Sequence, residues 1–230
     1  MDVVLLHGAL GSAAQLAPLK DILPPSLTPH IVEFEGHGDS EPSDRPFRTQ
    51  HFAENVLAYM SSTELERAVL FGYSMGGYVA LWLATEAPER VAAVLTLGTK
   101  LGWNPEAATR EAGRLNPTTL RTKVPRFVEA LEARHKTAGG WEGLVERTAE
   151  MMTHLGDNPD IGPNELAAIK QPVRLMLGDR DAMVTLAETQ EAFKTLANGE
   201  LAVLPRTPHP FELVDAARVA SHILDVTARL

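Results

Sequence analysis

Ser74 lies between two glycines in a pattern that is typical of a reactive serine. Residues 72–76 read Gly-Tyr-Ser-Met-Gly and stand between an apolar run and a helical pattern. A turn that leads directly from a strand into a helix strains its central residue, and Gly72 and Gly76 keep the neighbouring backbone from colliding. It also presents the serine hydroxyl at a helix N-terminus, where free N–H groups favour a developing negative charge. Because glycine-rich turns with an incidental serine are common, the position between a strand and a helix gives the pattern its weight.

A histidine and an aspartate could activate this serine. A serine hydroxyl is a poor nucleophile unless a histidine accepts its proton and a carboxylate partners the resulting imidazolium. His209 follows the apolar run Leu201–Leu204, and both Asp179 and Asp181 follow the run Val173–Leu177. Loops after parallel strands meet at one edge of a sheet, so these side chains are expected to lie close together. The spacing alone leaves open which of the two aspartates pairs with the histidine.

The His-Gly-Ala segment after the first apolar run could supply a backbone donor. A carbonyl under attack needs two N–H donors beside its oxygen. Gly8 permits a close approach of the backbone, which favours the N–H of Ala9 over that of Leu10 as one donor. Met75, directly after the serine, is expected to provide the other donor. His7 is interpreted as shaping this loop by hydrogen bonding rather than as a base or a metal ligand.

Composition and charge narrow the classes of function. The 230 residues are 44% hydrophobic and 22% charged, which excludes collagenous, coiled-coil and disordered chains. Lys and Arg total 21 against 30 Asp and Glu, and the resulting net charge of −9 argues against a nucleic-acid partner. No apolar run reaches the roughly 18 residues of a membrane span, and the N-terminal run is too short for a signal peptide. A cytoplasmic protein with neither a nucleic-acid nor a membrane partner is therefore expected.

No metal and no organic cofactor is expected. The chain has no cysteine, and its eight histidines are scattered without a His-Glu-x-x-His pattern. The lack of cysteine also requires the nucleophile to be a hydroxyl. The expected partner is a small-molecule substrate, and the protein is expected to be a monomer or a homodimer.

Short apolar runs alternate with helical patterns along the chain, as in a parallel sheet with crossover helices. The runs lack strict alternation, which is typical of strands covered on both faces. The six predicted strands are Val3–Leu6, His30–Phe34, Ala68–Phe71, Val91–Leu97, Val173–Leu177 and Leu201–Leu204. The predicted helices of this core are Thr49–Ser61, Met75–Ala87 and Phe211–Ala228.

The interval 101–165 contains no convincing strand, and its prolines and glycines divide it into short helices. Arg126–Thr137 and Trp141–Leu155 have helical periodicity. We interpret the interval as a helical insertion between the fourth and fifth strands of one core, which residues 1–100 and 166–230 form.

Several side chains around this insertion have two possible roles. Aromatic and methionine residues of the insertion could line an apolar pocket, although at helical spacing such residues more often belong to a core. These candidates are Trp103, Trp141, Met151 and Met152. Tyr73, beside the serine, is expected to pack in the wall of the site, and His135 and His154 are interpreted as surface residues of the insertion.

Taken together, these motifs make the chain resemble the α/β-hydrolase superfamily. The resemblance is carried by residues 4–9, 36–40, 72–77 and 178–181 and by His209, and it covers nearly all of the chain outside the interval 101–165. It implies an α/β-hydrolase fold with a mostly parallel sheet of about six strands flanked by helices, two fewer than the family usually has. In the family's G-x-x-D pattern the last residue is the acid, so the resemblance selects Asp181 over Asp179. The family carries a helical cap at the point of the insertion, which implies that 101–165 is a cap, or lid.

The resemblance implies a carboxylesterase-like serine hydrolase that cleaves a small ester or related acyl substrate. Ser74, His209 and Asp181 would form its catalytic triad, with an acyl-enzyme intermediate. The same group contains meta-cleavage C–C bond hydrolases and SHCHC synthase, a lyase that acts on a carboxylated substrate. The subgroup of SHCHC synthase has an arginine directly after the elbow, where this chain has Tyr78. A basic residue of the insertion that faces the pocket would favour these two alternatives, and a non-catalytic ligand-binding receptor is the alternative from another class.

Overall fold

A parallel sheet of six strands forms the centre of the computed structural model, which describes residues 1–230. The strands are β1 (Asp2–Leu6), β2 (Thr28–Val32), β3 (Ala68–Tyr73), β4 (Val91–Leu97), β5 (Val173–Arg180) and β6 (Gly199–Pro208). Their order across the sheet is β2-β1-β3-β4-β5-β6, and every neighbouring pair is parallel. The predicted six-stranded parallel sheet is confirmed.

The structure contains ten α-helices. They are α1 (Ala13–Ile22), α2 (Thr49–Ser62), α3 (Met75–Glu86), α4 (Pro105–Ala112), α5 (Pro117–Lys123), α6 (Pro125–Arg134), α7 (Trp141–Asp157), α8 (Pro163–Ala168), α9 (Leu186–Thr195) and α10 (Ala216–Thr227). None of them is both long enough and apolar enough to cross a membrane.

Alternate residues of the strands face opposite sides of the sheet and build two apolar cores. Val4, Leu6 and Leu70 belong to the larger core, which includes side chains of α2 and α3. Val3 and Val69 face the other side and belong to the smaller core with side chains of α1 and α10. Both faces are therefore covered, which explains why the strands read as apolar runs without alternation.

The last predicted helix begins too early. A short 3-10 turn occupies Phe211–Leu213, and α10 starts only at Ala216. The reason is Asp215, whose carboxylate accepts a hydrogen bond from the N–H of Ala217 at 3.0 Å and thereby caps the helix. The second strand is also displaced from its predicted position, because the chain leaves the sheet after Val32.

The strand order places a crevice at the carboxyl edge of the sheet. β1 and β3 are neighbours, but the chain runs from β1 to β2 on one side and from β3 to β4 on the other. In open α/β sheets ligands bind at such a topological switch point. Ala9 follows β1 and Ser74 follows β3, so both lie at this crevice. The loops after β5 and β6 emerge from the same edge.

Five helices, α4 to α8, lie between β4 and β5 and are called the insertion helices below. Helix α4 packs along α7. The last of them, α8, ends at Ala168, beyond the predicted end of the insertion at residue 165.

Candidate active site

Ser74 occupies a strained turn between β3 and α3. Its backbone has φ +50° and ψ −115°, and positive φ is uncommon for a residue with a side chain. The flanking glycines permit the turn. A Cβ added at Gly72 would lie 2.3 Å from backbone atoms of Gly76, and a Cβ added at Gly76 would lie 2.4 Å from the carbonyl oxygen of Leu6. The sequence pattern therefore encodes this geometry directly.

The backbone of Ser74 is fixed, but its hydroxyl is free. The Ser74 N–H donates to the carbonyl of Leu97 at 2.8 Å, and the Thr99 hydroxyl donates to the carbonyl of Ser74 at 3.0 Å. The side-chain oxygen of Ser74 makes no hydrogen bond within the protein, and the residue is partly exposed. The turn therefore presents an unpaired hydroxyl to the crevice.

Asp181 and His209 form a buried hydrogen-bonded pair. The Nδ1–H of His209 donates to Asp181 Oδ2 at 2.7 Å, and the two side chains are 11% and 2% exposed. Asp181 Oδ1 accepts from the N–H groups of Met183 and Val184 at 2.8 and 2.9 Å. Burial alone would raise the pKa of Asp181, but the bond and charge of His209 and the two backbone donors outweigh it and lower the pKa. The imidazole is thus oriented with Nε2 free to accept a proton.

Asp179 has a different environment. It is exposed, and its Oδ1 accepts a hydrogen bond from the N–H of Thr207 at 3.1 Å. This contact joins the end of β5 to the end of β6, two residues before His209. The geometry therefore assigns the imidazole to Asp181 and a loop-fixing contact to Asp179.

The segment after β1 brings a free backbone donor to the crevice. The N–H of Ala9 makes no hydrogen bond within the protein, and Met75 is the first residue of α3, whose N–H has no acceptor inside the helix. Gly8 lies so close to the serine turn that an added Cβ would be 2.7 Å from the Tyr73 ring and 3.2 Å from Ser74 Cβ. Ala9 and Met75 line the same small cavity as Ser74.

His7 and Tyr73 support the loops around the serine. His7 is fully buried, its Nδ1–H donates to the carbonyl of Gly8 at 2.9 Å, and its Nε2 lies 3.0 Å from Glu33 Oε1. The Tyr73 hydroxyl donates to the carbonyl of His209 at 3.0 Å, and burial raises the pKa of that phenol. Neither side chain is placed as a proton acceptor for the serine.

Two cavities meet at Ser74 and His209. The smaller, called the inner cavity below, has a volume of about 40 Å³, and the larger, called the outer channel, has a volume of about 340 Å³. The inner cavity is lined mainly by apolar side chains, among them Trp103, Met151, Met152, Leu155 and Met183. The insertion helices and their connections contribute Arg114, Leu115, Leu120, Phe127 and Arg134 to the wall of the outer channel. The rest of that wall includes Leu10, Gln15 and Glu212.

Trp141 contacts neither cavity. It is 3% exposed and belongs to the larger apolar core, with the guanidinium of Arg121 above its ring at 5.2 Å. Its position at the start of α7, more than two turns before Met151, explains why it does not reach the crevice.

Sequence reasoning missed a charged group in the wall of both cavities. Glu111 is 3% exposed, and its carboxylate accepts hydrogen bonds from Arg110 at 3.0 Å and from Arg114 at 2.7 Å. It shares the buried face of α4 with Ala107 and Ala108. Helical spacing from these two alanines could have identified it. No group of three or more His, Asp or Glu side chains is arranged to hold a metal ion.

His135 is not a surface residue, contrary to the prediction from sequence. It is fully buried at the end of α6, and its Nε2–H donates to the carbonyl of Leu10 at 3.0 Å. The contact joins residues 125 positions apart, so no local pattern indicates it.

Sequence comparison places the chain in the family that this fold and site define. The chain belongs to the alpha/beta hydrolase family, which it matches over residues 3–222. It is 27% identical to a putative 2-succinyl-6-hydroxy-2,4-cyclohexadiene-1-carboxylate synthase of Bacillus subtilis (strain 168), covering 90% of this chain and 83% of that protein. It is 26% identical to a pimeloyl-[acyl-carrier protein] methyl ester esterase of Stenotrophomonas maltophilia (strain R551-3), covering 100% and 93%.

Solved structures show the same fold. A thermophilic esterase from Thermogutta terrifontis superposes with a TM-score of 0.79 at 22% sequence identity, covering all of this chain and 90% of that one. The predicted α/β-hydrolase fold is confirmed, and the chain is an enzyme of this superfamily.

Gly98 is a site residue that the sequence analysis did not single out, and it yields a test of the Asp181–His209 pair. Its φ is +61°, and an added Cβ would lie 3.1 Å from Asp181 Oδ2 and 3.2 Å from His209 Nδ1. We expect Gly98→Ala to displace the Asp181–His209 pair, because a side chain is unfavourable at this positive φ and its Cβ would lie too close to both partners. The measurement is the downfield proton NMR signal of the His209 Nδ1–H, which should shift upfield or broaden beyond detection.

Gly102→Ala is the matched control for this test. Gly102 has no positive φ, and the atom nearest to its added Cβ is 3.5 Å away, an ordinary contact. In Gly102→Ala the Nδ1–H signal of His209 should match that of the wild type. An unchanged signal in folded Gly98→Ala would show that the pair does not depend on this approach.

Proposed function

We propose that the protein is a serine hydrolase that cleaves a small ester or related acyl substrate through a Ser74–His209–Asp181 triad. The proposal rests on one arrangement: the Asp181–His209 pair opens onto the same cavity as the strained, unpaired hydroxyl of Ser74. No hydrogen bond joins Ser74 Oγ to His209 in the structure, and such contacts often tighten only when substrate binds.

The first step forms an acyl-enzyme. Ser74 Oγ attacks the substrate carbonyl carbon, and its proton passes to His209 Nε2, which is free because Nδ1 donates to Asp181. The carbonyl oxygen becomes an oxyanion between the N–H groups of Ala9 and Met75. Each such donor contributes about 3 kcal/mol to the stability of the transition state. The bond to the leaving alcohol then breaks, and His209 returns the proton to the alcohol oxygen.

The second step regenerates the enzyme. Water attacks the acyl carbon and gives its proton to His209, and the bond to Ser74 breaks as the serine recovers that proton. The products are a carboxylic acid and an alcohol. The chemistry requires only protein groups, water and a small-molecule substrate.

The two cavities would hold different parts of the substrate. The inner volume of about 40 Å³ accommodates roughly three water-sized groups, which fits a short acyl chain. The outer channel of about 340 Å³ accommodates the larger leaving group. The insertion helices and their connections provide part of both walls and would act as the cap that excludes bulk water.

A fluorophosphonate probe tests the nucleophile. It is expected to label Ser74 stoichiometrically, because the probe reacts with an activated serine hydroxyl and its phosphoryl oxygen occupies the oxyanion site. Ser74→Ala should abolish labelling, as measured by intact-protein mass spectrometry. Well-folded protein that resists the probe would contradict the mechanism and favour a non-catalytic receptor.

The two aspartates provide a test of the acid. Asp181→Asn should lower kcat by about 10⁴-fold, because the amide no longer holds the productive tautomer of His209. Asp179→Asn should cause a much smaller loss, since Asp179 only accepts a bond from Thr207. Steady-state rates with p-nitrophenyl acetate decide the matter, and equal losses or the reverse order would refute the assignment of Asp181.

A carboxylated substrate is the second candidate, with C–C bond hydrolysis or a lyase reaction as the chemistry. Arg114 lines the outer channel, and its Nη1 is held by buried Glu111. A guanidinium has five N–H donors, so donors remain for a substrate carboxylate. Arg134 also lines the channel, but it is committed to Leu10 and Glu212. Of the other basic candidates, Arg110, Arg121, Lys123 and Arg126 do not line either cavity.

Paired substrates test this candidate. With Arg114→Gln, kcat/KM should fall about 10- to 100-fold for an aryl ester that carries a carboxylate on its leaving group, because a charge-assisted hydrogen bond is lost. The neutral ester should react at an unchanged rate. Arg110→Gln is the matched control, since Arg110 also pairs with Glu111 and is about equally exposed. Equal effects on both esters would argue against carboxylate recognition by Arg114.

A further inference from the structure

Leu10 is the strained residue of the loop that carries Ala9. Its φ is +59°, and it is one of only four residues other than glycine with a positive φ. Such a conformation persists only where surrounding contacts determine it. Within the loop itself, the N–H of Gly11 donates to the carbonyl of Gly8 at 3.1 Å. The carbonyl of Leu10 has no donor from the loop, and both of its hydrogen bonds come from the insertion helices.

His135 provides the first of these bonds and also forms a hydrogen bond with a second turn, at Gly38. Its Nε2–H donates to the Leu10 carbonyl at 3.0 Å, and its Nδ1 accepts from the N–H of Gly38 at 2.8 Å. Gly38 also has a left-handed backbone, with φ +54°. A single buried ring therefore bridges the turns that follow β1 and β2.

The ring must be neutral to make both bonds. One nitrogen donates and the other accepts, which is possible only for an uncharged imidazole. Burial lowers the pKa of His135 to about 4, and the charge of neighbouring Arg134 adds to the effect. At neutral pH the ring is therefore in the form that both turns require.

Arg134 provides the second bond and extends the connection to the loop of His209. Its Nη1 donates to the Leu10 carbonyl at 3.0 Å, and its Nη2 pairs with Glu212 at 3.1 Å. Glu212 lies three residues after His209 and also accepts from the side chain of Gln15 at 2.6 Å. The end of α6 thus touches the loops of both the oxyanion donor and the base.

We propose that His135, together with Arg134, is a positioning residue through which the cap sets the oxyanion hole. The two side chains fix the Leu10 carbonyl, and this fixes the turn that directs the preceding N–H of Ala9 towards the substrate carbonyl. The inference rests on the proposed function, because it assigns a role within that reaction. The packing of α6 against the core would then also place the N–H of Ala9 in position to bind the oxyanion.

A transition-state analogue separates this role from a merely structural one. An alkyl trifluoromethyl ketone adds to Ser74 and places an oxyanion beside Ala9, so its affinity depends on the position of the oxyanion donor. The KM for p-nitrophenyl acetate does not depend on an oxyanion, because the bound substrate is neutral. His135→Phe should lower both kcat and the affinity for the ketone by the same factor, about 10- to 100-fold. Removal of one oxyanion donor lowers kcat about 10²- to 10³-fold, and a donor that is only mispositioned should lose part of that effect. KM should change little.

Two further variants keep the test decisive. The side-chain amide of His135→Gln can reach the Leu10 carbonyl in place of Nε2, so this variant should recover most of the loss. Arg134→Gln removes the second donor and should reproduce a smaller loss even if His135→Phe does not fold. His154→Phe is the matched control, because His154 lies on α7 and its side chain makes no hydrogen bond. It should match the wild type.

The outcomes distinguish the two proposals. Normal kcat and ketone affinity in folded His135→Phe, a change in KM alone, or no recovery in His135→Gln would overturn the positioning role while the triad stands. Wild-type protein that fails to react with a fluorophosphonate would overturn the proposed function itself.

Discussion

The left-handed backbone of Ser74 is the constraint on which the site depends. A non-glycine residue in such a conformation costs about 1–3 kcal/mol, and it persists only if its surroundings leave no alternative. Here the surroundings come from three strands. β3 delivers the serine, β4 accepts its N–H at Leu97, and Leu6 at the end of β1 touches Gly76. Only a strand in the interior of the sheet has neighbours on both sides, so this turn has to follow a central strand.

The buried carboxylate of Asp181 also depends on the contacts that surround it. A carboxylate without partners is costly to bury, but every oxygen of Asp181 has a donor: two backbone N–H groups on Oδ1 and the imidazole on Oδ2. These bonds fix the carboxylate, which in turn fixes the ring of His209. Tyr73 then ties the backbone of His209 to the residue before the serine. Ser74 and His209, the proposed nucleophile and base, are therefore both held at the same end of β3.

Local patterns predicted the residues whose role is decided within a few positions. Ser74 and His209 follow apolar runs, as do Asp179 and Asp181, and the glycines around the serine are readable as a turn, so these side chains could be placed at one edge of the sheet. The spacing alone did not choose between the two aspartates, and the family resemblance selected Asp181. Gly98 and His135 could not be found in this way, because each acquires its role from a distant segment. Glu111 was missed although its helical spacing from Ala107 and Ala108 places it on the buried face of α4. The start of α10 was misjudged for a local reason, the capping carboxylate of Asp215, which the sequence does contain.

The division of labour between the core and the insertion helices explains why the fold alone does not define the reaction. Relatives of 26–27% identity that cover most of this chain are named as a synthase and as an esterase. One fold supports different reactions through the residues of its site, so the difference between such reactions has to be sought in the residues that surround the substrate. In this chain those surroundings are an apolar inner wall, a buried Glu111 and an arginine held beside it. Because the end of α6 also hydrogen-bonds to the carbonyl of Leu10, the residue after Ala9, a change in these helices would affect the loop after β1 as well as the shape of the pocket.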